Sequence, residues 1–293
     1  FDQLLNEQLQ KLQVETIDFY LLHALNAGSW KKVYDMGVLD WAEGAQADGR
    51  IRYLGFSFHD QYEVFQEIVD AYDKWTFCQI QHNYMNEEYQ AGTKGLKYAA
   101  AKGLAVVIME PLLGGKLVNP PGPVQALWDQ APTIRGAPEW ALTWLWNKPE
   151  VAVVLSGMST MEQVEDNLRS ADRSGVGLLT DEELALVSRV RDQYDTLSAV
   201  PCTNCQYCMP CPNGVDIPRN FQLFNTGIMY DKFDEMRRVY SQHLAEEQRA
   251  SACVQCRICE EKCPQNILIS EWMPIVHEIL GEGMAFDPSA APA

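Results

Sequence analysis

Eight of the nine cysteines of this chain lie in two strings near its C-terminus. The first string consists of Cys202, Cys205, Cys208 and Cys211, and the second of Cys253, Cys256, Cys259 and Cys263. A proline, Pro212 or Pro264, follows the last cysteine of each string. The second spacing, C-x2-C-x2-C-x3-C-P, puts three thiolates on one tight loop, where they can hold one face of a [4Fe-4S] cluster. The strings therefore predict a domain that transfers electrons.

The spacing is similar to that of two-cluster ferredoxins, in which the fourth cysteine of each string ligates the other cluster. The resemblance pairs Cys263 with the first three cysteines of the first string, and Cys211 with the first three of the second. Two such strings predict two clusters. Only two residues separate Cys208 from Cys211, which departs from the pattern, so a single cluster is the alternative. A four-cysteine zinc site is less well supported, because zinc does not need a third cysteine in each run. The ninth cysteine, Cys78, lies in an apolar run and is expected to be a buried thiol.

The composition excludes several classes of partner. A formal net charge of -17 argues against nucleic acid and anionic membrane surfaces, which repel an acidic protein. An acidic surface suits a basic electron-transfer protein, although it equally suits simple solvation. No apolar run approaches the length of a membrane span, and the first residues lack the pattern of a signal peptide. Clusters assemble on reduced thiols, so the cytoplasm is the expected compartment.

The first two thirds of the chain alternate between strand and helix patterns. Five nearly continuous apolar runs predict buried parallel strands: Thr16 to Leu22, Ile51 to Ser57, Phe77 to Tyr84, Leu104 to Glu110 and Val151 to Gly157. Helical periodicity separates them, at Gln61 to Lys74, Gly92 to Lys102 and Pro138 to Trp146. Capping boxes are predicted at Ser159 to Glu162 and Thr180 to Glu183. A doubly wound sheet is the competitor, but its G-x-G-x-x-G turn is absent, and a proline-rich insertion from Asn119 to Pro138 is typical of a (β/α)8 TIM barrel.

The predicted fold class is thus α/β of the TIM-barrel type, with about five βα units, followed by a small and mainly helical ferredoxin-like domain. The expected divisions are a barrel segment at 1–191, a linker at 192–200, an iron-sulfur domain at 201–281 and a disordered tail at 282–293. Helical residues are expected between the cysteine strings, from Arg219 to Arg249.

Several strings in order resemble the aldo-keto reductase superfamily, in its bacterial and archaeal branch with a C-terminal ferredoxin-type domain. They are LQKLQVETIDFYLLH (9–23), DGRIRYLGFSFH (48–59), FCQIQHNY (77–84), GLAVVIMEPLLGGK (103–116) and VVLSGMSTMEQVEDNL (153–168), with the cysteine strings behind them. The resemblance implies an NADPH-dependent carbonyl reductase on a (β/α)8 barrel. The chain corresponds to barrel strands four to eight, so we expect it to be part of a longer protein; the alternative is a remnant whose sheet edges are covered.

The resemblance also implies the site residues. His23 corresponds to the catalytic histidine that orients the substrate carbonyl. Twelve further positions would contact a nicotinamide cofactor; one of them, Met109, replaces the aromatic residue that many members stack on its ring. The cofactor positions are Ser57, Gln79, Met109, Gly114, Gly115, Lys116, Ser156, Gly157, Ser159, Thr160, Glu165 and Asn167. A phosphate is expected at the start of the helix after the last strand, because free backbone N–H groups lie there.

The sequence therefore favours an iron-sulfur oxidoreductase that reduces a small carbonyl compound or related acceptor with NADP(H). Hydride transfer moves two electrons together and clusters carry one each, so a flavin, bound here or on a partner, is a further expected cofactor. The alternative is a non-catalytic electron-transfer or redox-sensing subunit that uses the barrel as a docking scaffold.

Overall fold

The computed structural model of the chain describes residues 1–202, 204–263 and 265–292. Pro264, which follows the second cysteine string, lies outside the described residues. The chain divides into two compact units. Unit 1 consists of residues 1–118 and 133–187, and unit 2 of residues 119–132 together with those from Ser188 onward. The insertion after the fourth strand thus groups with the C-terminal unit, which the predicted segment 1–191 did not anticipate.

Unit 1 is built on a sheet of five parallel strands. The strands are β1 Ile17–Leu25, β2 Ile51–Phe58, β3 Phe77–Gln81, β4 Ala105–Met109 and β5 Val151–Val154. Their order in the sheet is the order of the sequence, from β1 to β5. A doubly wound sheet would reverse direction at a switch point, whereas successive βα units of a barrel add strands on one side only. The five predicted strands are therefore found, in the order typical of a barrel.

Helices precede, separate and follow the strands of unit 1. They are α1 Asp2–Leu12, α2 Ala27–Asp35, α3 Val38–Ala47, α4 Tyr62–Asp70, α5 Gly92–Ala101, α7 Ala137–Trp146 and α8 Met161–Asp172, while α9 Asp181–Thr196 runs across the division of the units. In α4, for example, Phe65, Ile68 and Val69 are buried, as the helical period requires. Apolar periodicity thus accounts for the helices that were expected.

One predicted helix start is wrong by one residue. The N-cap of α8 is Thr160, whose hydroxyl accepts from the backbone N–H of Gln163. The capping box predicted at Ser159 and Glu162 is thus replaced by one at Thr160 and Gln163. The capping box at Thr180 and Glu183 is confirmed, since each side chain bonds the backbone N–H of the other residue.

Gly55 in β2 leaves room for the neighbouring strand. A Cβ at this position would lie 2.6 Å from both the ring and the carbonyl oxygen of Phe77. We expect Gly55→Ala to destabilise unit 1 by roughly 3 kcal/mol or more, because the backbone of β3 would have to move. The control is Gly44→Ala in α3, where a Cβ has open space and alanine is the better helix former. Urea unfolding followed by tryptophan fluorescence tests both; equal midpoints for the two variants would contradict the prediction.

Unit 2 is helical around one apolar core. Its helices are α6 Gly122–Trp128, α10 Ile217–Tyr230, α11 Phe233–His243 and α12 Ile269–Leu280. The core includes Phe221, Phe224, Trp272 and Met273, all fully or almost fully buried. Several cysteines of both strings pack against it. Among the described residues, no helix is long and apolar enough to cross a membrane.

Two predicted connecting segments are more ordered than expected. Helix α9 continues to Thr196, into the predicted linker 192–200. The predicted disordered tail instead packs on unit 2: the Phe286 ring lies 5.1 Å from that of Phe224. Arg237 donates hydrogen bonds to the carbonyl oxygens of Gly283 and Met284 at 3.1 and 2.8 Å. One aromatic anchor and one arginine thus fix a segment whose composition alone indicated disorder.

Candidate functional site

The carboxyl ends of the strands in unit 1 bring four predicted site residues to one edge of the sheet. His23, Ser57 and Met109 lie near or at the ends of β1, β2 and β4, and Gln79 pairs in register with Ser57. The side-chain amide of Gln79 donates to the sulfur of Met109 at 3.5 Å. In parallel α/β proteins this edge is where catalytic groups are placed. The arrangement therefore suits the predicted roles, which the geometry alone does not assign.

The backbone next to His23 is irregular, and Ser57 holds it. Ala24 has a positive φ of 53°, and the pairing register of β1 shifts between Leu22 and Leu25. The Ala24 N–H donates to the Ser57 hydroxyl oxygen at 2.7 Å. Such bulges re-aim side chains, and the His23 side chain is exposed. Ser57 thus keeps its own hydroxyl hydrogen for another acceptor while it fixes the position of His23.

A cavity of about 640 Å³ opens beyond β4 and β5, within unit 1. Five of the predicted cofactor positions line it: Gly114, Gly115, Ser156, Gly157 and Asn167. The Asn167 side chain donates to the Ser156 hydroxyl at 2.9 Å, which joins α8 to the segment after β5. The volume is within the range of cofactor sites. Five positions predicted from two separate segments therefore line the same cavity.

Other predicted residues lie elsewhere. Ser159 and Thr160 begin α8, while Lys116 and Glu165 are absent from the described lining of the cavity. Asp166, next to Glu165, lines the cavity. The lining also includes residues that were not among the predicted cofactor positions: Glu110, Glu139, Gln163, Asp166, Arg169 and Arg173. The helical period from Asn167 would have found Gln163 and Ser170, which lie four residues before and three after it.

His82 follows β3 and is fully buried. Its ring lies 5.2 Å from that of Trp144, and neither ring nitrogen has a hydrogen-bond partner among the described residues. Burial, and to a lesser degree the positive charge of Lys148, lowers the pKa of His82 to about 4. His82 is therefore a neutral core residue at physiological pH.

A histidine whose folded pKa lies below its ordinary value takes up its proton on unfolding. The contribution of neutral His82 to the free energy of unfolding is therefore fully present above about pH 6.5 and is lost progressively as the pH falls toward 4. We expect a loss of about 2 kcal/mol between pH 7.5 and pH 5 that His82→Phe does not show. Urea unfolding of both proteins at the two pH values measures the difference, in which acid effects on the other groups cancel. Parallel losses in the two proteins would contradict it.

In unit 2, four cysteines from both strings line one cavity. They are Cys202, Cys205, Cys208 and Cys263, with apolar walls that include Ile217, Phe221 and Ile267. The thiol of Cys253 interacts electrostatically with those of Cys211 and Cys256. In the described parts of the chain, no three Cys, His, Asp or Glu side chains meet closely enough to hold a single metal ion. The thiols of Cys202, Cys205, Cys208 and Cys263 surround a space with apolar walls, an arrangement that fits a polynuclear cluster.

The two strings repeat the same backbone conformation. Asn204 and Gln206 have φ values of 55° and 63°, and Gln255 and Arg257, at the equivalent places, have 54° and 63°. After the fourth cysteines, Gly214 donates to the carbonyl of Cys211 and Asn266 to that of Cys263. Non-glycine residues rarely adopt this left-handed region. The shared geometry shows that the first string forms the same kind of loop, despite its shorter last spacing.

Two buried asparagines of α10 fix the segments that lead into the strings. Asn225 accepts from the N–H of Val200 at 3.0 Å and donates to its carbonyl at 2.7 Å, two residues before Cys202. Asn220 accepts from the N–H of Ala250 at 2.9 Å and donates to the carbonyl of Gln248 at 2.8 Å, ahead of Cys253. One helix thus positions both loops through buried amide hydrogen bonds.

Burial is the main influence on the thiols themselves. It raises the pKa of Cys208 and that of Cys259 to about 11, with a smaller contribution from neighbouring thiols. It also raises the pKa of the Cys78 thiol, which is completely buried as predicted. Cysteines ligate iron as thiolates, so iron binding in unit 2 must release protons.

Comparison with known proteins finds similarities for both parts of the chain. Residues 2–130 match the aldo/keto reductase family model, and residues 201–268 match the 4Fe-4S dicluster domain model. The uncharacterized oxidoreductase C215.11c of Schizosaccharomyces pombe is 26% identical over 164 residues, which are 56% of this chain and 50% of that protein. The chain thus spans about half the length of this curated relative.

Solved structures show the same fold. The chain resembles aldo-keto reductase AKR11C1 from Bacillus halodurans in its holo form, with a TM-score of 0.53 and 23% identity over 64% of this chain and 65% of that one. It also resembles the thermostable aldo-keto reductase Tm1743, with a TM-score of 0.51 and 20% identity over 64% of each chain. These likenesses confirm the TIM-barrel type of the first unit. Residues 2–130 are therefore similar to the aldo/keto reductase family, and residues 201–268 to 4Fe-4S dicluster domains.

Proposed function

We propose that the chain is part of an NAD(P)H-linked iron-sulfur oxidoreductase that reduces a small carbonyl compound or a related acceptor. The observation that carries this proposal is the cavity of about 640 Å³ beyond β4 and β5, in which five sequence-predicted cofactor positions converge. It lies in the unit whose carboxyl strand ends also carry His23, Ser57, Gln79 and Met109.

The residues of unit 1 suit the two ends of a nicotinamide dinucleotide. Ser57 and Gln79 offer a hydroxyl and an amide for the nicotinamide carboxamide, and the contact of Gln79 with Met109 holds that amide in place. Gly114, Gly115 and Gly157 allow close backbone approach to a diphosphate. Exposed His23, aimed by the bulge at Ala24, would hydrogen-bond the substrate carbonyl. When bound, the cofactor supplies a hydride.

The residues of unit 2 suit two [4Fe-4S] clusters with crossed ligands. Cys202, Cys205 and Cys208 share a cavity with Cys263, and Cys253 interacts with Cys211 across the strings. When bound, such clusters carry single electrons. Dividing a hydride between them requires a step that separates its two electrons, for which a flavin is the suitable group. Analysis of the purified protein for flavin therefore belongs to the proposal.

Cofactor binding by protein purified without oxygen tests this function. We expect NADH or NADPH to quench the tryptophan fluorescence of the protein with saturation at micromolar to millimolar concentration, the usual range for such ligands. Protein that contains its clusters but binds neither NADH nor NADPH would contradict the reductase proposal and support the electron-transfer or sensing alternative.

A further inference from the structure

The N-terminus of α8, where a phosphate was expected, is capped by the side chain of Gln163 from the same helix. The Gln163 side-chain oxygen accepts from the backbone N–H groups of Ser159 and Thr160 at 2.8 and 3.2 Å. The Thr160 hydroxyl in turn accepts from the N–H of Gln163 at 3.3 Å. Backbone N–H groups at a helix start bind anions, and the Gln163 side chain occupies two of them at the start of α8. A phosphate bound to these two groups would have to displace Gln163, which itself lines the cavity.

The cations of the cavity are also engaged. The two arginines that line it, Arg169 and Arg173, pair with carboxylates: Arg169 with Asp166, and Arg173 with Glu139 at 3.5 Å. Both carboxylates line the cavity, and Glu110 is a third. The described lining thus contains three carboxylates and two guanidinium groups. An additional phosphate on this wall would compete with Asp166 and Glu139 for the two guanidinium groups and would lie close to negative charge.

The wall formed by Gln163, Asp166 and Asn167 offers amide and carboxylate groups suited to an adenosine. The hydroxyls and the amino group of the adenosine can donate hydrogen bonds to the carboxylate of Asp166, whereas a phosphate on the ribose has no hydrogen to donate. We propose that Gln163 makes the cavity selective for NAD(H) over NADP(H), an inference that rests on the proposed nicotinamide site. Gln163 excludes the extra phosphate by occupying the N–H groups that would otherwise bind it. The preference is thus opposite to the NADP(H) expected from the resemblance.

The test is the ratio of the dissociation constants of NADPH and NADH, measured by fluorescence titration of the complete anaerobic protein. The two cofactors differ only in the ribose phosphate, so the ratio cancels any general effect of a variant on folding. We expect the wild-type protein to bind NADH about tenfold or more tightly than NADPH. Gln163→Ala should lower the ratio about tenfold by exposing the N–H groups. Gln163→Glu should raise it, because the carboxylate caps the helix and repels phosphate.

Gln125→Ala is the matched control, because Gln125 lies on a different helix and bonds only an exposed partner, Asp129. It should leave the ratio unchanged. Tighter wild-type binding of NADPH, or a ratio that Gln163→Ala does not lower, would overturn the selectivity while leaving the nicotinamide site intact. If the wild-type protein and Gln163→Ala bind neither cofactor, the proposed function itself fails.

Discussion

Replacing Cys263 with serine should remove the same cluster as replacing Cys208, although the two residues lie in different strings. Both line the cavity that also contains Cys202 and Cys205. Each variant should lose about four iron atoms and keep the other cluster, because a serine hydroxyl is a poor substitute for a thiolate. Cys211→Ser and Cys259→Ser should instead remove the second cluster. Iron analysis and electron paramagnetic resonance of the reduced proteins distinguish the two pairs.

The matched control is Cys78→Ser, whose thiol is buried in unit 1 and belongs to neither cysteine string. It should retain all the iron. If Cys263→Ser gave the spectrum of Cys259→Ser, the ligands would follow the strings and the crossed assignment would be wrong. Zinc in place of iron, after purification without oxygen, would contradict the cluster assignment altogether.

Replacing Arg135 with methionine should destabilise unit 1 by about 3–5 kcal/mol, because it leaves Glu183 buried without its partner. The Arg135 guanidinium lies 2.6 Å from the Glu183 carboxylate, with only 10% and 4% of the two side chains exposed, and 4.4 Å from the centre of the Trp140 ring. Gly136 and Pro138, next along the chain, line the cavity. We therefore expect weaker nicotinamide binding as well as lower stability.

The pH dependence follows from the carboxyl group. Burial opposes ionisation of Glu183, but Arg135 and the Thr180 N–H outweigh it and hold the pKa of Glu183 below its ordinary 4.5. The pair therefore stabilises the fold above that pH, and its contribution is lost as the pH falls through the lowered pKa. Denaturant unfolding of wild type and Arg135→Met should differ at pH 7 and converge in acid. Lys31→Met, which breaks an exposed pair with Asp35, should have no measurable effect. Equal effects of the two variants at pH 7 would contradict the prediction.

The sequence predicted the elements of unit 1 well because their signals are local. Continuous apolar runs mark buried strands, and the edge that holds His23 and Ser57 follows from parallel pairing alone. The helix α8 shows where local signals fail. Ser159 and Thr160 are equally good caps, and only the extended backbone at Thr160 decides between them.

Long-range contacts account for most of what the sequence did not show. The ion pair of Arg135 with Glu183 joins residues far apart in the chain, and nothing in either neighbourhood marks it. The order of the tail depends on Phe286 reaching Phe224. The cysteine spacing, in contrast, encodes a site almost by itself, since the ligands are the motif.

Electron exchange between the two units tests the proposed function most directly. The experiment mixes NADH with the oxidised anaerobic protein, and NAD⁺ with the protein reduced by dithionite and freed of excess reductant. Nicotinamide is followed at its own absorbance and the clusters at theirs. One NADH carries two electrons, which a bound flavin can separate and two one-electron clusters can hold, so for protein that contains flavin we predict exchange in the direction that the potentials favour, with about two clusters per NADH. No exchange in either direction by protein that holds flavin and both clusters and binds NADH would contradict the electron relay.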